Sequence, residues 1–118
     1  MSFKGMFVSA RETRQFSAGD VIFAAGDSSS EMYGVISGAV ELRDGDTPVL
    51  QVGPEGTFGE MGLIDSAPRS LSAVATEETE VAIIDERTFL FLVQETPMFA
   101  LNVMRSLAAR IREIDASR

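Results

Sequence analysis

Phe58-Gly-Glu-Met-Gly-Leu-Ile-Asp-Ser-Ala-Pro-Arg-Ser-Leu-Ser-Ala-Val74 is the stretch on which the reading of this chain turns. Gly53, Gly56, Gly59 and Gly62 cluster before and within it, where backbone turns tightly or approaches a ligand closely. Residues 60–64 predict one short helical turn. Pro68-Arg69-Ser70 leads into the apolar run 71–74, which reads as a strand. A glycine turn ahead of a short helix exposes unpaired N–H groups and the positive end of the helix dipole, a combination that suits an anion. Arg69 adds a planar, permanently charged fork matched to phosphate oxygens. Ser70 and Ser72 add hydroxyl donors. The local chemistry favours a small ligand that carries phosphate.

Composition narrows the function classes. The 118 residues suffice for one domain with a single core, and 45% are hydrophobic, which is globular rather than disordered. No apolar run approaches the ~18 residues of a membrane span, and the N-terminal residues lack a secretory pattern. There is no cysteine, so disulfides are excluded and a cytoplasmic location is expected. The chain also contains no histidine, which excludes a His-based metal site and a Ser-His-Asp or Cys-His nucleophile. No metal site, no cofactor and no catalytic residue are expected. Asp27, Asp44 and Asp46 read as turn chemistry rather than metal ligands. With 10 Lys and Arg against 18 Asp and Glu the net charge is −8, which argues against nucleic acid as a partner. Salt screens that charge within ~8–10 Å, so a contact arginine in a partly dry pocket outweighs it locally.

Outward from the central stretch, residues 1–13 predict a short helix or cap carrying Phe3, Met6, Phe7 and Val8 against the core. Residues 14–16 and 21–23 read as strands, and residues 25–30 as a loop. Residues 32–42 are rich in β-formers and are interrupted by Gly34 and Gly38, which suggests bulges or bends. Asp44-Gly45 signals a hairpin, with residues 49–52 returning as its partner. Residues 79–84 form a strand. Asp85 is a helix N-cap ahead of Phe89, Leu92 and Val93. Pro97 opens a last helix to about residue 114, with apolar positions Leu101, Val103, Met104, Leu107, Ala108, Ile111 and Ile114. That stripe is wide enough to cover a pocket, form a dimer interface, or pack on its own domain.

The central stretch resembles the phosphate-binding cassette of the cyclic-nucleotide-binding domain family. That family carries Phe-Gly-Glu, a hydrophobic residue, Ala or Gly, Leu, a short variable stretch, then Arg-Ser/Thr/Ala-Ala. Residues 58–63 and 68–74 match it, with Leu71 standing where the family usually has Ala. Gly26-Asp27, Tyr33, Ile36, Gly38 and Val40 resemble the family's early barrel pattern, and Gly34 departs from it. The resemblance implies an antiparallel jelly-roll barrel with flanking helices and a C-terminal helical lid, as a single domain over residues 1–118. It implies reversible binding of a cyclic purine nucleotide, read as cAMP before cGMP, by a regulatory module that is not an enzyme.

The implied ligand-binding residues follow the motif. Arg69 pairs with the phosphate, and Glu60 accepts from the ribose 2′-OH, with Arg69 close enough to offset its charge. Phe58, Gly59 and Gly62 form the turn, and Gly62 offers its N–H to phosphate. Met61 and Leu63 wall the base pocket or pack beneath the cassette. Ser70 donates to phosphate or touches the base, and Leu71 supplies a backbone N–H. Arg110 on the last helix reads two ways: as a plane stacked on the purine, or as a solvated residue near a helix C-terminus. A protein partner or a second copy is expected at the last helix, with no membrane partner. Two rival readings stand beside this one. The first is a relative that no longer binds nucleotide and acts as a protein-interaction scaffold, motivated by Leu71 and by the lack of an output domain within these residues. The second, a metal-dependent cupin-type enzyme, is disfavoured by the absence of histidine.

Overall fold

The computed structural model describes the backbone of residues 4–8 and 10–116, and the side chains of residues 5–8 and 10–112. Phe3, read above as facing the core, and the Ile114 side chain, read as part of the last helix's apolar stripe, lie outside the described residues; Val8, also read as core-facing, is exposed, because α1 turns Phe7 inward instead. The elements run α1 (Lys4–Val8), β1 (Thr13–Phe16), β2 (Val21–Phe23), β3 (Met32–Ser37), β4 (Val40–Asp44), β5 (Thr47–Val52), β6 (Thr57–Phe58), α2 (Glu60–Asp65), β7 (Ser72–Ala75), β8 (Thr79–Ile84), α3 (Glu86–Glu95) and α4 (Met98–Ala116). The strands form two four-stranded antiparallel sheets, ordered β1-β8-β3-β6 and β2-β7-β4-β5. No ladder joins the two sheets among the described residues, so they pack through side chains rather than through a continuous ring of backbone bonds.

Side-chain alternation explains how one sheet serves two cores. Along β3 and β8, Tyr33, Val35, Val81 and Ile83 face the second sheet, where they meet Val40, Leu42, Val52 and Ala73. The intervening Met32, Ile36, Ala82 and Ile84 face the helices, where they meet Phe7, Leu92, Phe99 and Val103. A strand buried on both faces has no polar alternation, which is why residues 32–36 and 81–84 read as unbroken apolar runs.

Gly34 is not a bulge. It stays in register, opposite Ala82 on one side and Thr57 on the other. The irregularity falls one step later, between Val35 and Ser37, and Gly38 makes the β3–β4 turn at φ 89°. A glycine is needed at 34 for a different reason. A Cβ there would lie 2.6–2.8 Å from three ring carbons of Phe7, so the ring of α1 occupies the space that a side chain would take. Phe7 also meets Phe99 of α4 edge-on at 5.9 Å.

Local signals placed the other elements. The Asp44-Gly45 turn pairs Asp44 with Thr47, with a register slip between Leu42 and Arg43. Asp85 caps α3 by accepting from the Thr88 N–H at 2.8 Å, which holds its carboxyl below the usual range. Pro97 lies in the turn before α4, where its carbonyl accepts from Ala100. The wide stripe of α4 divides into two faces. Phe99 and Val103 are buried against the helix-side core, whereas Leu101, Met104 and Ile111 stay exposed.

Gly34→Ala is expected to destabilise the protein by about 1–3 kcal/mol through overpacking. The penalty should largely vanish in a Phe7→Ala background, where the ring is gone. Urea denaturation of the four proteins of this cycle measures it, and equal penalties in both backgrounds would show that Phe7 does not fill this space.

Candidate functional site

The cassette places two buried ionisable side chains on one cavity. Arg69 lies in the α2–β7 loop, and its backbone is locked to the loop after β2: its N–H donates to the Asp27 carbonyl, and its carbonyl accepts from Gly26. Its guanidinium then reaches back under α2. Nη1 donates to the Gly59 carbonyl and Nη2 to the Glu31 carbonyl, both at 2.8 Å. Cζ lies 4.2 Å from the centre of the Phe23 ring and 5.7 Å from that of Tyr33. Arg69 is 8% exposed, forms no ion pair among the described residues, and has a buried Nε with no hydrogen-bond partner. It is a buried cation with no carboxylate at ion-pair distance among the described residues.

Glu60 opens α2 behind Gly59, whose left-handed φ of 75° turns the chain out of β6. The carboxylate is 2% exposed, and each of its oxygens accepts one hydrogen bond. Oε2 accepts from Thr57 Oγ1 at 2.8 Å, and Oε1 accepts from Arg110 Nη1 at 2.8 Å. Arg110 Nη2 also donates to the Thr57 carbonyl at 2.6 Å. Two expectations are corrected here. Arg69 is not the charge paired with Glu60: two of its in-plane donors go to backbone carbonyls and its face meets Phe23, while Glu60 pairs with Arg110. Arg110 is not the free, solvated residue of the second reading: it is 23% exposed and tied to Glu60 and the Thr57 carbonyl, because a buried carboxylate without a cation is costly and α4 brings the arginine to it.

Both charges line a cavity of about 660 Å³, within the usual range of roughly 300–1,000 Å³ for small-molecule sites. Gly59, Met61, Gly62, Ser70, Leu71 and Arg110 line it as well, whereas Phe58 and Leu63 do not. Phe58 is fully buried and stacks on Tyr33 at 5.0 Å, and Leu63 packs against the helix-side core. Gly62 does not hold out its N–H, which donates instead to the Gly59 carbonyl at 3.2 Å. Its lack of a side chain is nonetheless required. A Cβ there would lie 2.6 Å from Arg69 Nη1 and from Ser29 Oγ. The remaining wall is apolar: Leu42, Val49 and Leu50 from the second sheet, and Leu107 and Ile111 from α4.

Three contributors carry no motif in the sequence. Thr57, just before the cassette, fixes Glu60 through its hydroxyl. Ser29, read only as a turn former, donates to the Ala67 carbonyl at 2.6 Å and so ties the loop after β2 to the cassette. Phe23 ends β2 and carries Arg69 on its face. Tyr33, close by, has its hydroxyl pushed up to about 12 by burial and by Glu31, to which it donates at 2.9 Å, so it stays a neutral phenol.

Arg110→Ala is expected to cost about 1.5–3 kcal/mol, toward the lower end because Arg110 is itself 23% exposed. Adding Glu60→Gln should recover part of that loss, because a neutral amide needs no counter-ion. Denaturant unfolding of the single and double variants checks this. An unchanged midpoint for Arg110→Ala would mean that the pair contributes nothing.

Comparison with known proteins agrees with this geometry. A family model for the cyclic nucleotide-binding domain matches residues 13–96. The chain is 37% identical over 109 residues to the cyclic AMP receptor protein of Thermus thermophilus, covering 88% of this chain and 50% of that one. The crystal structure of the Thermus thermophilus catabolite activator protein superposes with a TM-score of 0.81 at 35% identity, over 96% of this chain and 55% of that one. A structure from work on a cyclic-GMP-dependent signalling pathway in bacterial phytopathogenesis gives a TM-score of 0.75 at 27% identity, over 94% and 89%. The chain thus spans about half the length of its Thermus relative. On the match over residues 13–96, the chain belongs to the cyclic nucleotide-binding domain family.

Proposed function

We propose that this chain binds a cyclic purine nucleotide reversibly, cAMP in preference to cGMP, as a regulatory module and not as a catalyst. One observation carries the reading: an un-neutralised buried arginine and a buried carboxylate line the same cavity, each held by other partners. An anionic phosphate matches the first. A sugar hydroxyl matches the second, because each carboxylate oxygen has two lone pairs and each here accepts one bond. The two sheets form a jelly roll around this site.

The preference for adenine rests on the wall beyond the charges. Leu42, Val49, Leu50, Leu71 and Ile111 offer a purine apolar surface, and Ser70 offers one hydroxyl. Guanine carries a ring N1–H donor and an exocyclic carbonyl that adenine lacks, and burying these against leucine and valine without partners is costly. The Thermus relative is named for cyclic AMP and the second structure comes from work on a cyclic-GMP pathway, so the cavity wall is the better guide. Leu71 packs against the inter-sheet core while the cavity beside it stays open, which favours a receptor over a scaffold.

Coupling follows from Arg110. Glu60 sits on α2 and Arg110 on α4, so a ligand that bonds to Glu60 alters the tie between them. Phosphate capture by Arg69 draws α2 inward, and α3 and α4 repack as a lid, with Leu107 and Ile111 of α4 closing over the cavity beside Met61. The two states must differ in affinity for the ligand. The exposed Leu101 and Met104 of α4 are where a cytoplasmic protein partner or a second copy receives the signal. No described helix is long and apolar enough to cross a membrane.

Calorimetric titration with cAMP and cGMP tests the binding. We expect tighter binding of cAMP, weakened about 10- to 150-fold by Arg69→Ala. No heat and no thermal shift with either nucleotide at millimolar concentration would refute the reading in favour of the scaffold. Hydrogen exchange tests the lid: protection over residues 101–111 should change on adding cAMP, and identical protection would rule out a switch in α4.

A further inference from the structure

Arg69 poses a question that the nucleotide reading leaves open: what keeps its guanidinium in place when no carboxylate does so. A buried cation needs hydrogen bonds, a counter-ion or another source of negative potential. Of the five N–H donors of this guanidinium, Nη1 and Nη2 each give one to a carbonyl, and Nε has no partner. The ring of Phe23 lies 4.2 Å from Cζ, well inside the ~6 Å over which an aromatic face attracts a cation.

The ring is itself fixed. Phe23 is 8% exposed and packs against Tyr33 at 5.9 Å and Phe58 at 6.0 Å, and those two stack on each other at 5.0 Å. A side chain at residue 59 would enter this layer, because a Cβ there would lie 2.9 Å from Arg69 Nη1 and 3.4 Å from the Phe23 ring. Gly59 thus serves the stacking as well as the turn.

An aromatic face and a phosphate do not compete for a guanidinium. The ring meets the plane of the group, whereas oxygens meet its edge through in-plane N–H donors. A carboxylate partner would occupy that edge and cancel the charge, but a ring does neither. We propose that Phe23 is a positioning residue for anion capture: its face fixes the plane of Arg69 and leaves to the ligand phosphate the positive charge and the in-plane N–H donors that the Gly59 and Glu31 carbonyls do not take. This inference rests on the nucleotide reading above and specifies how its cation is made ready.

The test replaces Phe23 with mono-, di- and trifluorinated phenylalanine. These keep the size and apolar character of the ring while progressively removing the negative potential of its face. Titration with cAMP should show affinity falling stepwise with fluorination, by roughly 3- to 30-fold across the series. The series should be flat in an Arg69→Ala background, where no guanidinium is left to hold. Thermal unfolding should stay nearly constant, separating positioning from packing. Constant affinity across the series would overturn the inference while leaving the nucleotide reading intact, provided that wild type binds and Arg69→Ala weakens it. An equal slope in the Arg69→Ala background would also overturn it, by assigning the effect to direct contact between ring and ligand. Wild type that binds neither cAMP nor cGMP would overturn both.

Discussion

Two buried charges of opposite sign line one cavity without neutralising each other, and much of the structure serves to keep them apart. Arg69 is held by two carbonyls and an aromatic face, and Glu60 by a threonine hydroxyl and an arginine from α4. Had the two paired directly, each would have lost the capacity that a ligand needs. A buried ion pair is also hard to open, because separation leaves both charges desolvated. Supporting each charge separately keeps the cation available to an anion and the carboxylate available to a hydroxyl donor. A molecule that carries phosphate and a sugar hydroxyl a few bonds apart satisfies both.

The separation is maintained by missing side chains as much as by those present. Gly62 leaves room for Arg69 and Ser29, and Gly59 leaves room for Arg69 beside Phe23. On the other face of the first sheet, Gly34 leaves room for Phe7, which joins α1 to Phe99 of α4, and Phe99 in turn meets Phe89 of α3 at 5.6 Å. The helices that the proposed switch would move therefore share one aromatic cluster, while the cavity belongs to the other face. Arg110 is the direct polar link between α4 and the cassette, and this gives the Glu60–Arg110 pair more consequence than its partly exposed position suggests.

What was legible in the sequence was mostly local. The Asp85 cap, the Asp44-Gly45 hairpin and the glycine turn before α2 each depend on residues within a few positions, so spacing alone locates them. The cassette stood out because its chemistry is compressed into seventeen consecutive positions, 58–74. Contacts between distant positions were not legible. Arg110 reaches Glu60 across fifty residues, a distance at which pattern reading sees only an arginine on a helix. Phe23 looked like an ordinary strand residue, and its role depends on where Arg69 folds back. Gly34 looked like a bulge because the ring that fills its space comes from α1. The stripe of α4 appeared wide because it combines a buried face with an exposed one, and hydrophobicity does not distinguish them. Phe58 and Leu63 belong to the family motif yet pack beneath the site, since a motif records what folds the loop as well as what touches the ligand.

The most direct test of the account is a crystal structure of the chain with cAMP, read for two distances and one stacking contact. The account requires phosphate oxygens within hydrogen-bond distance of the Arg69 guanidinium edge and the ribose 2′-OH on the Glu60 carboxylate, with the Phe23 ring still against the guanidinium face. A nucleotide seated elsewhere, or an Arg69 that meets phosphate only after leaving Phe23 and pairing with Glu60, would contradict the claim that the two charges are kept apart for the ligand.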